Sequence, residues 1–217
     1  MTKLVVFDCD GTLVDSQAAV CEAMEAAFAA AALPAPDRNA VRRIVGLSLP
    51  QAIRKLAPNA GEAAHYLALE TYKASFRGAR ERGRLEEPLY PGIANLLAHL
   101  HEGGTLLGVA TGKSDRGLLS CLTGHGVREL FVTLQTADRH PSKPHPAMLE
   151  AALFEAGAAP GEAVMIGDTV FDIAMAQAAG VRAIGVAWGY HEPAELLEAG
   201  AKGVAESAEE LEAMIDG

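Results

Sequence analysis

Two aspartates separated by a single residue, Asp8 and Asp10, follow the first apolar run of the chain, residues 4–7. That run has no polar residue to alternate with, which is typical of a buried strand. Side chains two positions apart on an extended chain point to the same side, so the pattern predicts two neighbouring carboxylates at a strand end. Two negative charges at such a short distance repel each other unless a cation or a proton lies between them. We therefore expect this pair to take part in chemistry.

Three further polar clusters follow candidate strands. Thr111 and Gly112 end a strand just before a predicted helix, where a hydroxyl and free backbone N–H groups suit a phosphate. Lys143 lies in a loop between prolines, and Asp168 and Asp172 are four residues apart at a helix start, which predicts that they share a face. Open α/β sheets bind ligands at the carboxyl ends of their strands, so we expect these clusters to meet there.

Together with the first pair, these positions supply four carboxylates, one threonine hydroxyl and one ammonium group. Four anions in one pocket need a cation, and a set of oxygen ligands favours Mg²⁺. A divalent ion and Lys143 would also offset the charge of a phosphate. The set fits phosphoryl transfer, which needs a nucleophile, a proton donor, a metal ion and an anion-binding pocket.

The elements that must position these groups alternate along the second part of the chain. Candidate strands cover residues 105–110, 130–133, 163–166 and 182–186, and candidate helices lie near 93–101, 114–125, 146–157, 170–179 and 193–200. Alternation of this kind predicts an α/β fold with a doubly wound, Rossmann-like parallel sheet and helices on both faces.

The segment between the first strand and residue 105 is far too long for one crossover helix. It is alanine-rich and predicts four helices, the last with Leu69, Tyr72 and Phe76 on one stripe. We therefore expect an all-helical cap domain, residues 16–87, inserted into a catalytic core of residues 1–15 and 88–217. The insertion leaves and re-enters beside the aspartate pair, which is where a lid would be attached.

Composition excludes several classes of function. The 217 residues carry a net charge of -10 with no basic cluster, which argues against a nucleic-acid partner. No apolar stretch is long enough to span a membrane, and no signal peptide is visible. The three cysteines are widely spaced and form no CxxC pair. We expect a cytoplasmic protein whose partner is a small phosphorylated substrate, with no obligate protein partner evident.

The four clusters resemble, in order and spacing, the four motifs of the haloacid dehalogenase superfamily, and the helical insertion is similar to that superfamily's helical cap. The match covers nearly the whole chain and is closest to the phosphoglycolate phosphatase-like branch. It is carried by Asp8-Cys9-Asp10-Gly11-Thr12, Thr111-Gly112, Lys143-Pro144 and Gly167-Asp168-x-x-x-Asp172.

This resemblance implies a role for each position. Asp8 would be the nucleophile that accepts the phosphoryl group, and Asp10 the acid/base. Thr111, with the adjacent Gly112, and Lys143 would bind the phosphate. The ligands of Mg²⁺ would be Asp8, the carbonyl of Asp10, Asp168 and Asp172, the last directly, through water, or by orienting another ligand. The resemblance also makes the loop at 45–48, with Arg42 and Arg43, face the substrate.

Several readings stay open at this point. A pyrophosphatase, a sugar-phosphate mutase and a non-catalytic binding protein of the same fold are alternatives to a phosphatase acting on a small, phosphoglycolate-like monoester. The Gly108-x-x-x-Gly112-Lys113-Ser114 segment imitates the phosphate-binding loop of nucleotide hydrolases but has one residue too few between its glycines. Cys9 is expected to point away from the site, and residues 188–191 are expected to pack as a loop.

Overall fold

In a computed structural model, which describes residues 2–216, six strands form one parallel sheet in the order β3-β2-β1-β4-β5-β6. The order of the strands reverses beside β1, as in doubly wound nucleotide-binding sheets. The expected α/β class is confirmed. The strands are β1 Leu4–Phe7, β2 Leu106–Thr111, β3 Phe131–Thr136, β4 Ala163–Gly167, β5 Arg182–Val186 and β6 Val204–Ala205.

Ten α-helices accompany the strands over the described residues. Four lie between β1 and β2 and form a helical insertion: α1 Gln17–Ala30, α2 Arg38–Arg42, α3 Leu49–Leu56 and α4 Glu62–Glu81. The remainder are α5 Ile93–Glu102, α6 Asp115–Gly124, α7 Ala147–Ala156, α8 Val170–Ala178, α9 Pro193–Glu198 and α10 Ala208–Asp216, with short 3₁₀ helices at Arg128–Leu130 and Pro160–Glu162. No helix in this part of the chain has both the length and the apolar character needed to cross a bilayer.

The central strand β1 is buried on both faces because helices cover the sheet from two sides. Leu4 and Val6 pack into an apolar cluster with α7 and α8, whereas Val5 and Phe7 pack into a second cluster with α5, α6 and α10. This alternation of side chains along an extended chain explains why the run has no polar position. The doubly wound arrangement is therefore present in the packing as well as in the strand order.

The helical insertion has a separate apolar cluster, which Tyr190 of the core joins. Met24 and Phe28 of α1, Ile53 of α3 and Ala68 of α4 are buried together there. Its two long helices, α1 and α4, pack against each other. The division of the chain into residues 16–87 and a core that runs to both termini stays a prediction, and residues 1 and 217 lie outside the described residues.

The sheet extends further than the sequence pattern predicts. β3 continues to Thr136 because Gln135 and Thr136, although polar, are buried at the strand end. The sixth strand has two residues, too few for any alternation, and the helix that follows it begins with acidic residues. Short or polar elements of this kind are held by tertiary contacts, so sequence periodicity does not reveal them.

Candidate active site

Three buried carboxylates converge at the carboxyl edge of the sheet. Asp8 directly follows β1, Asp168 directly follows β4, and Asp172 lies in the first turn of α8. Each side chain offers an oxygen, and the three oxygens all lie within 4.8 Å of one another. The neighbouring strands β1 and β4 thus bring together residues that are far apart in the sequence.

The ammonium group of Lys143 lies between two of these carboxylates. Its Nζ is 2.6 Å from Asp172 Oδ1 and 3.0 Å from Asp8 Oδ1, and the side chain is completely buried. Burial alone lowers the pKa of this lysine, but Asp172 and Asp8 outweigh it, so the pKa is raised. Lys143 therefore stays charged and offsets one of the three negative charges.

The two carboxylates that directly follow strands, Asp8 and Asp168, both have raised pKa values. Burial, together with the charges of Asp172 and Asp10, raises the pKa of Asp8 to about 7, although Lys143 opposes the shift. Burial, Asp172 and Asp8 likewise hold the pKa of Asp168 well above its ordinary value. Asp8 Oδ1 accepts a hydrogen bond from the amide of Cys9 at 2.6 Å, but Asp8 Oδ2 is buried with no partner among the described residues. An unpartnered buried oxygen among like charges fits a site for a cation.

Neighbouring groups fix the orientation of Asp168. The hydroxyl of Thr12 donates to its Oδ1 at 2.7 Å, and the amide of Tyr190 donates to its Oδ2 at 2.9 Å. Gly11 has a φ of 85°, and a Cβ there would lie 2.2 Å from Asp168 Oδ2, so the turn requires glycine. The loop containing Tyr190, which the sequence assigned to packing, thus also holds this carboxylate.

Asp172 is held by its own helix start. The amide and the hydroxyl of Thr169 both donate to Asp172 Oδ2, at 3.0 and 2.7 Å, while Lys143 occupies Oδ1. These two hydrogen bonds from the residue before the helix hold the Asp172 side chain beneath the site instead of in solvent. Asp168 and Asp172 lie close together, as expected, but they do not share a helix face. Asp168 precedes the helix and reaches the site from the end of β4.

Asp10 is separate from the cluster of three carboxylates. Its Oδ1 accepts a hydrogen bond from Ser16 Oγ at 2.5 Å and lies 2.9 Å from Lys113 Nζ. Ser16 Oγ is in turn 3.1 Å from the hydroxyl of Tyr190. The two aspartates of the opening pair therefore have different environments: Asp8 pairs with Lys143 inside the carboxylate cluster, whereas Asp10 pairs with Lys113 and with the hydroxyl of Ser16.

Lys113 is a feature of the site that the sequence did not indicate. Its Nζ is 2.9 Å from Asp10 and 2.6 Å from Glu87, and lies 5.7 Å from the ring centre of Phe76 on α4. Burial lowers its pKa, yet the two carboxylates outweigh this and raise the pKa well above its ordinary value. This lysine therefore joins the aspartate pair, the segment that returns from the insertion, and α4. The only signal was its position directly after Gly112.

A cavity of about 540 Å³ opens above the carboxylates, between the sheet edge and the helical insertion. Four predicted site residues line it: Asp8, Asp10, Thr111 and Gly112. The other three, Lys143, Asp168 and Asp172, are fully buried and contribute no wall to the cavity. The predicted set therefore divides into groups that a ligand could touch and groups that lie behind them.

The loop between α2 and α3 closes one side of the cavity. A Cβ on Gly112 would lie 2.6 Å from the carbonyl oxygen of Leu47, and the amide of Ser48 donates to Ser142 Oγ at 2.7 Å. The expectation that this loop faces the ligand agrees with its place in the cavity wall. The expectation for Arg42 and Arg43 is wrong, since both are exposed and line no part of it, and Arg43 pairs with Glu195 instead.

Comparison with known proteins agrees with this arrangement of strand ends. The family model of haloacid dehalogenase-like hydrolases matches residues 5–186, which include all four motifs. The chain belongs to this family.

Relatives within the haloacid dehalogenase-like hydrolases cover most of the chain. It is 37% identical over 204 residues to the probable phosphatase IndB of Dickeya dadantii, with 92% of this chain and 87% of the relative covered. It is 32% identical over 209 residues to phosphoglycolate phosphatase of Rhodospirillum rubrum, covering 92% and 86%. A crystal structure of a predicted phosphatase from Clostridium acetobutylicum superposes with a TM-score of 0.88 at 26% identity, covering 99% and 98%.

These similarities confirm the expected superfamily, its α/β fold and a hydrolase of the phosphatase type. The structure adds that this haloacid dehalogenase-like hydrolase has a cluster of three carboxylates able to hold a metal ion. The residue between the aspartates, Cys9, is fully buried and packs into the apolar cluster on one face of the sheet, as expected for a thiol that points away from the site.

Proposed function

We propose that this hydrolase is a Mg²⁺-dependent phosphatase that cleaves a small phosphate monoester through an aspartyl-phosphate intermediate. One observation carries the proposal. The unpartnered Oδ2 of Asp8 lies in a buried group of three carboxylates, and Asp8 itself lines a cavity large enough for a small organic phosphate. Pockets of this size are typical of small-molecule sites.

The residues present fit a Mg²⁺ ion. Asp8, Asp168 and Asp172 supply only oxygen ligands, and with all three ionised one lysine would leave two negative charges without compensation. A hard divalent cation matches both the donor set and that charge. Asp8, Asp168, Asp172 and the backbone carbonyl of Asp10 would hold the ion, with Asp172 as a direct or an indirect ligand. When bound, the ion would neutralise charge on the phosphate and on Asp8.

The protein's own groups would carry the reaction. The carboxylate of Asp8 attacks phosphorus, and the ester P–O bond breaks as Asp10 gives its proton to the leaving oxygen. Asp10 then takes a proton from a water molecule that attacks the aspartyl phosphate, which releases inorganic phosphate and restores Asp8. Thr111 and the Gly112 amide, at the end of β2, would bind phosphate oxygens, with Lys143 supplying charge from behind.

The helical insertion, residues 16–87, would act as a cap over the site. Its loop at residues 46–48 and its helix α4 line the same cavity as Asp8. Both predicted boundary residues touch the site, since Ser16 binds Asp10 and Glu87 binds Lys113. A cap in contact with the acid/base can close over bound substrate and exclude bulk water from the reaction.

The partner would be a small phosphorylated metabolite in the cytoplasm. A phosphoglycolate-like ester is the first candidate, because a relative 32% identical over most of the chain is named phosphoglycolate phosphatase. The net charge of -10 disfavours nucleic acid. All three cysteines are free and buried, which suits a reducing compartment.

A panel of phosphate esters and pyrophosphate, assayed with Mg²⁺ for released phosphate, tests the proposal. We expect hydrolysis of several monoesters, loss of activity with EDTA, and a fall of at least about a thousandfold in kcat for Asp8→Asn. The control is Asp15→Asn, an exposed carboxylate seven residues away, which should keep wild-type kcat. Circular dichroism should show both variants folded.

Three outcomes would favour an alternative. Hydrolysis of pyrophosphate alone would indicate a pyrophosphatase. Transfer of labelled phosphate to a second sugar hydroxyl, instead of to water, would indicate a mutase. No turnover of any compound by the folded, Mg²⁺-loaded protein would leave a binding protein of the same fold.

A further inference from the structure

Helix α4 presents a row of cations to the cavity. Lys73, Arg77 and Arg80 are spaced by four and three residues, so they lie on one face of the helix, and all three line the cavity. Arg116, in the first turn of α6, lines the cavity from the core. Two separate elements therefore direct basic side chains at the same space.

These four basic side chains around one cavity are unusual for a chain with a net charge of -10. No ion pair within residues 2–216 involves Arg77, Arg80 or Arg116, and Lys73 has one exposed contact, 3.2 Å from Glu70. The acidic residues that line the cavity are Asp8 and Asp10 at its floor and Asp138 on the core side. The α4 wall is thus free to bind an anion.

The scissile phosphate does not require these cations. At the floor it would meet Thr111, Gly112 and a metal ion, with Lys143 behind Asp8. Helix α4 also lines the cavity with the apolar side chains of Leu69 and Phe76. These two are half-buried, whereas Lys73 and Arg77, which alternate with them along the helix, are exposed and so lie nearer the solvent.

We infer that the substrate carries a second anionic group, a carboxylate or a second phosphate, at the end opposite the scissile phosphate, and that Arg77 and Arg80, with Lys73, bind it. This inference rests on the proposed function and names the substrate class within it. Guanidinium groups bind carboxylate and phosphate through paired hydrogen bonds, so both chemistries fit the same residues. The uncharged middle of the substrate would lie along Leu69 and Phe76.

Binding of stable phosphonates tests this without turnover. Calorimetry in Mg²⁺ would compare alkylphosphonates, ω-carboxyalkyl phosphonates and alkane bisphosphonates of equal chain length. The test variant is Arg77→Ala/Arg80→Ala, and the matched control is Arg82→Ala/Arg84→Ala, which removes the same charge from exposed positions nearby that do not line the cavity.

We expect wild type to bind the probes with a second anion about ten- to a hundredfold more tightly than the alkylphosphonates. The test variant should lose that preference while binding alkylphosphonates as before, and the control should retain it. The carboxyl and bisphosphonate arms show which anion is preferred. Equal affinity of wild type for all three probes, or the same loss in both double variants, would overturn the inference.

Hydrolysis distinguishes this inference from the proposed function. Wild type and Arg77→Ala/Arg80→Ala should cleave an ester that carries no second anionic group, such as p-nitrophenyl phosphate, at similar kcat. Cleavage without any preference for a second anion would overturn the inference alone. Absence of all cleavage would overturn the phosphatase, and the binding preference would still decide the inference.

Discussion

Replacing Lys113 with methionine should destabilise the protein strongly, although the sequence predicts no role for this lysine in the site. Its side chain is 9% exposed and lies 2.9 Å from Asp10 and 2.6 Å from Glu87, whose side chains are 14% and 6% exposed. Methionine preserves most of the volume but leaves two nearly buried carboxylates without their cation. Removing one partner of a buried ion pair costs about 3–5 kcal/mol, so we expect a loss of that size in the free energy of unfolding.

The second change separates charge from packing. Glu87→Gln in the Lys113→Met background removes one of the two stranded charges, and the double variant should recover about 1–3 kcal/mol relative to Lys113→Met. The control is Arg54→Met, which breaks an exposed pair with Glu62 and should cost less than about 1 kcal/mol.

Urea unfolding of the four proteins at neutral pH measures these free energies. Activity need not be known, so the result is independent of the proposed reaction. A loss in Lys113→Met no larger than in Arg54→Met would refute the reasoning that Lys113 is an essential buried counter-ion. A double variant less stable than Lys113→Met would show that packing, not unpaired charge, dominates.

Two further predictions concern the cavity and its floor. Gly112→Ala should raise KM and lower the free energy of unfolding by about 1–3 kcal/mol, because the new Cβ would lie 2.6 Å from Leu47 O and displace the loop between α2 and α3. An unchanged KM together with unchanged stability would contradict this close contact. In EDTA, stability should fall as pH rises from about 4 to 7, because folded Asp8 keeps its proton to about pH 7 whereas the unfolded chain releases it near 3.8. Mg²⁺ at a hundredfold excess over its Kd should add about 3 kcal/mol to the free energy of unfolding at pH 7, and less at pH 5, where protons compete for the carboxylates. Calorimetry checks both expectations. A Tm that rises with pH in EDTA, or a Tm that Mg²⁺ does not change, would contradict them.

Much of the fold follows from short-range patterns. The strands predicted at 4–7 and 182–186 coincide with β1 and β5, and the other predicted strands overlap β2, β3 and β4. Buried strands in a parallel sheet are continuous apolar runs, so they can be recognised locally. The ends are less predictable: β3 extends through Gln135 because neighbouring groups satisfy its side chain, which bonds to Thr133 and His140.

The candidate site shows the same division. The spacing of Asp8 and Asp10 and the order of the strand-end clusters indicated phosphoryl-transfer chemistry, because each strand delivers its last residues to a common edge. The family resemblance also implied that Arg42 and Arg43 face the substrate. Arg42 ends a helix of only five residues and Arg43 follows it, and the orientation that turns Arg43 towards Glu195 depends on packing of the insertion.

The sequence by itself determined five of the six strands, the inserted helices and the carboxylates at the strand ends, since these depend on periodicity and on neighbours in the chain. Only the tertiary structure decided which groups surround each aspartate. Thr12 meets Asp168 across 156 positions, and Lys113 meets Glu87 across 26. Contacts of that range depend on how the helices pack on the sheet, and a single sequence does not encode that geometry in any local pattern. The unequal environments of Asp8 and Asp10 are the result.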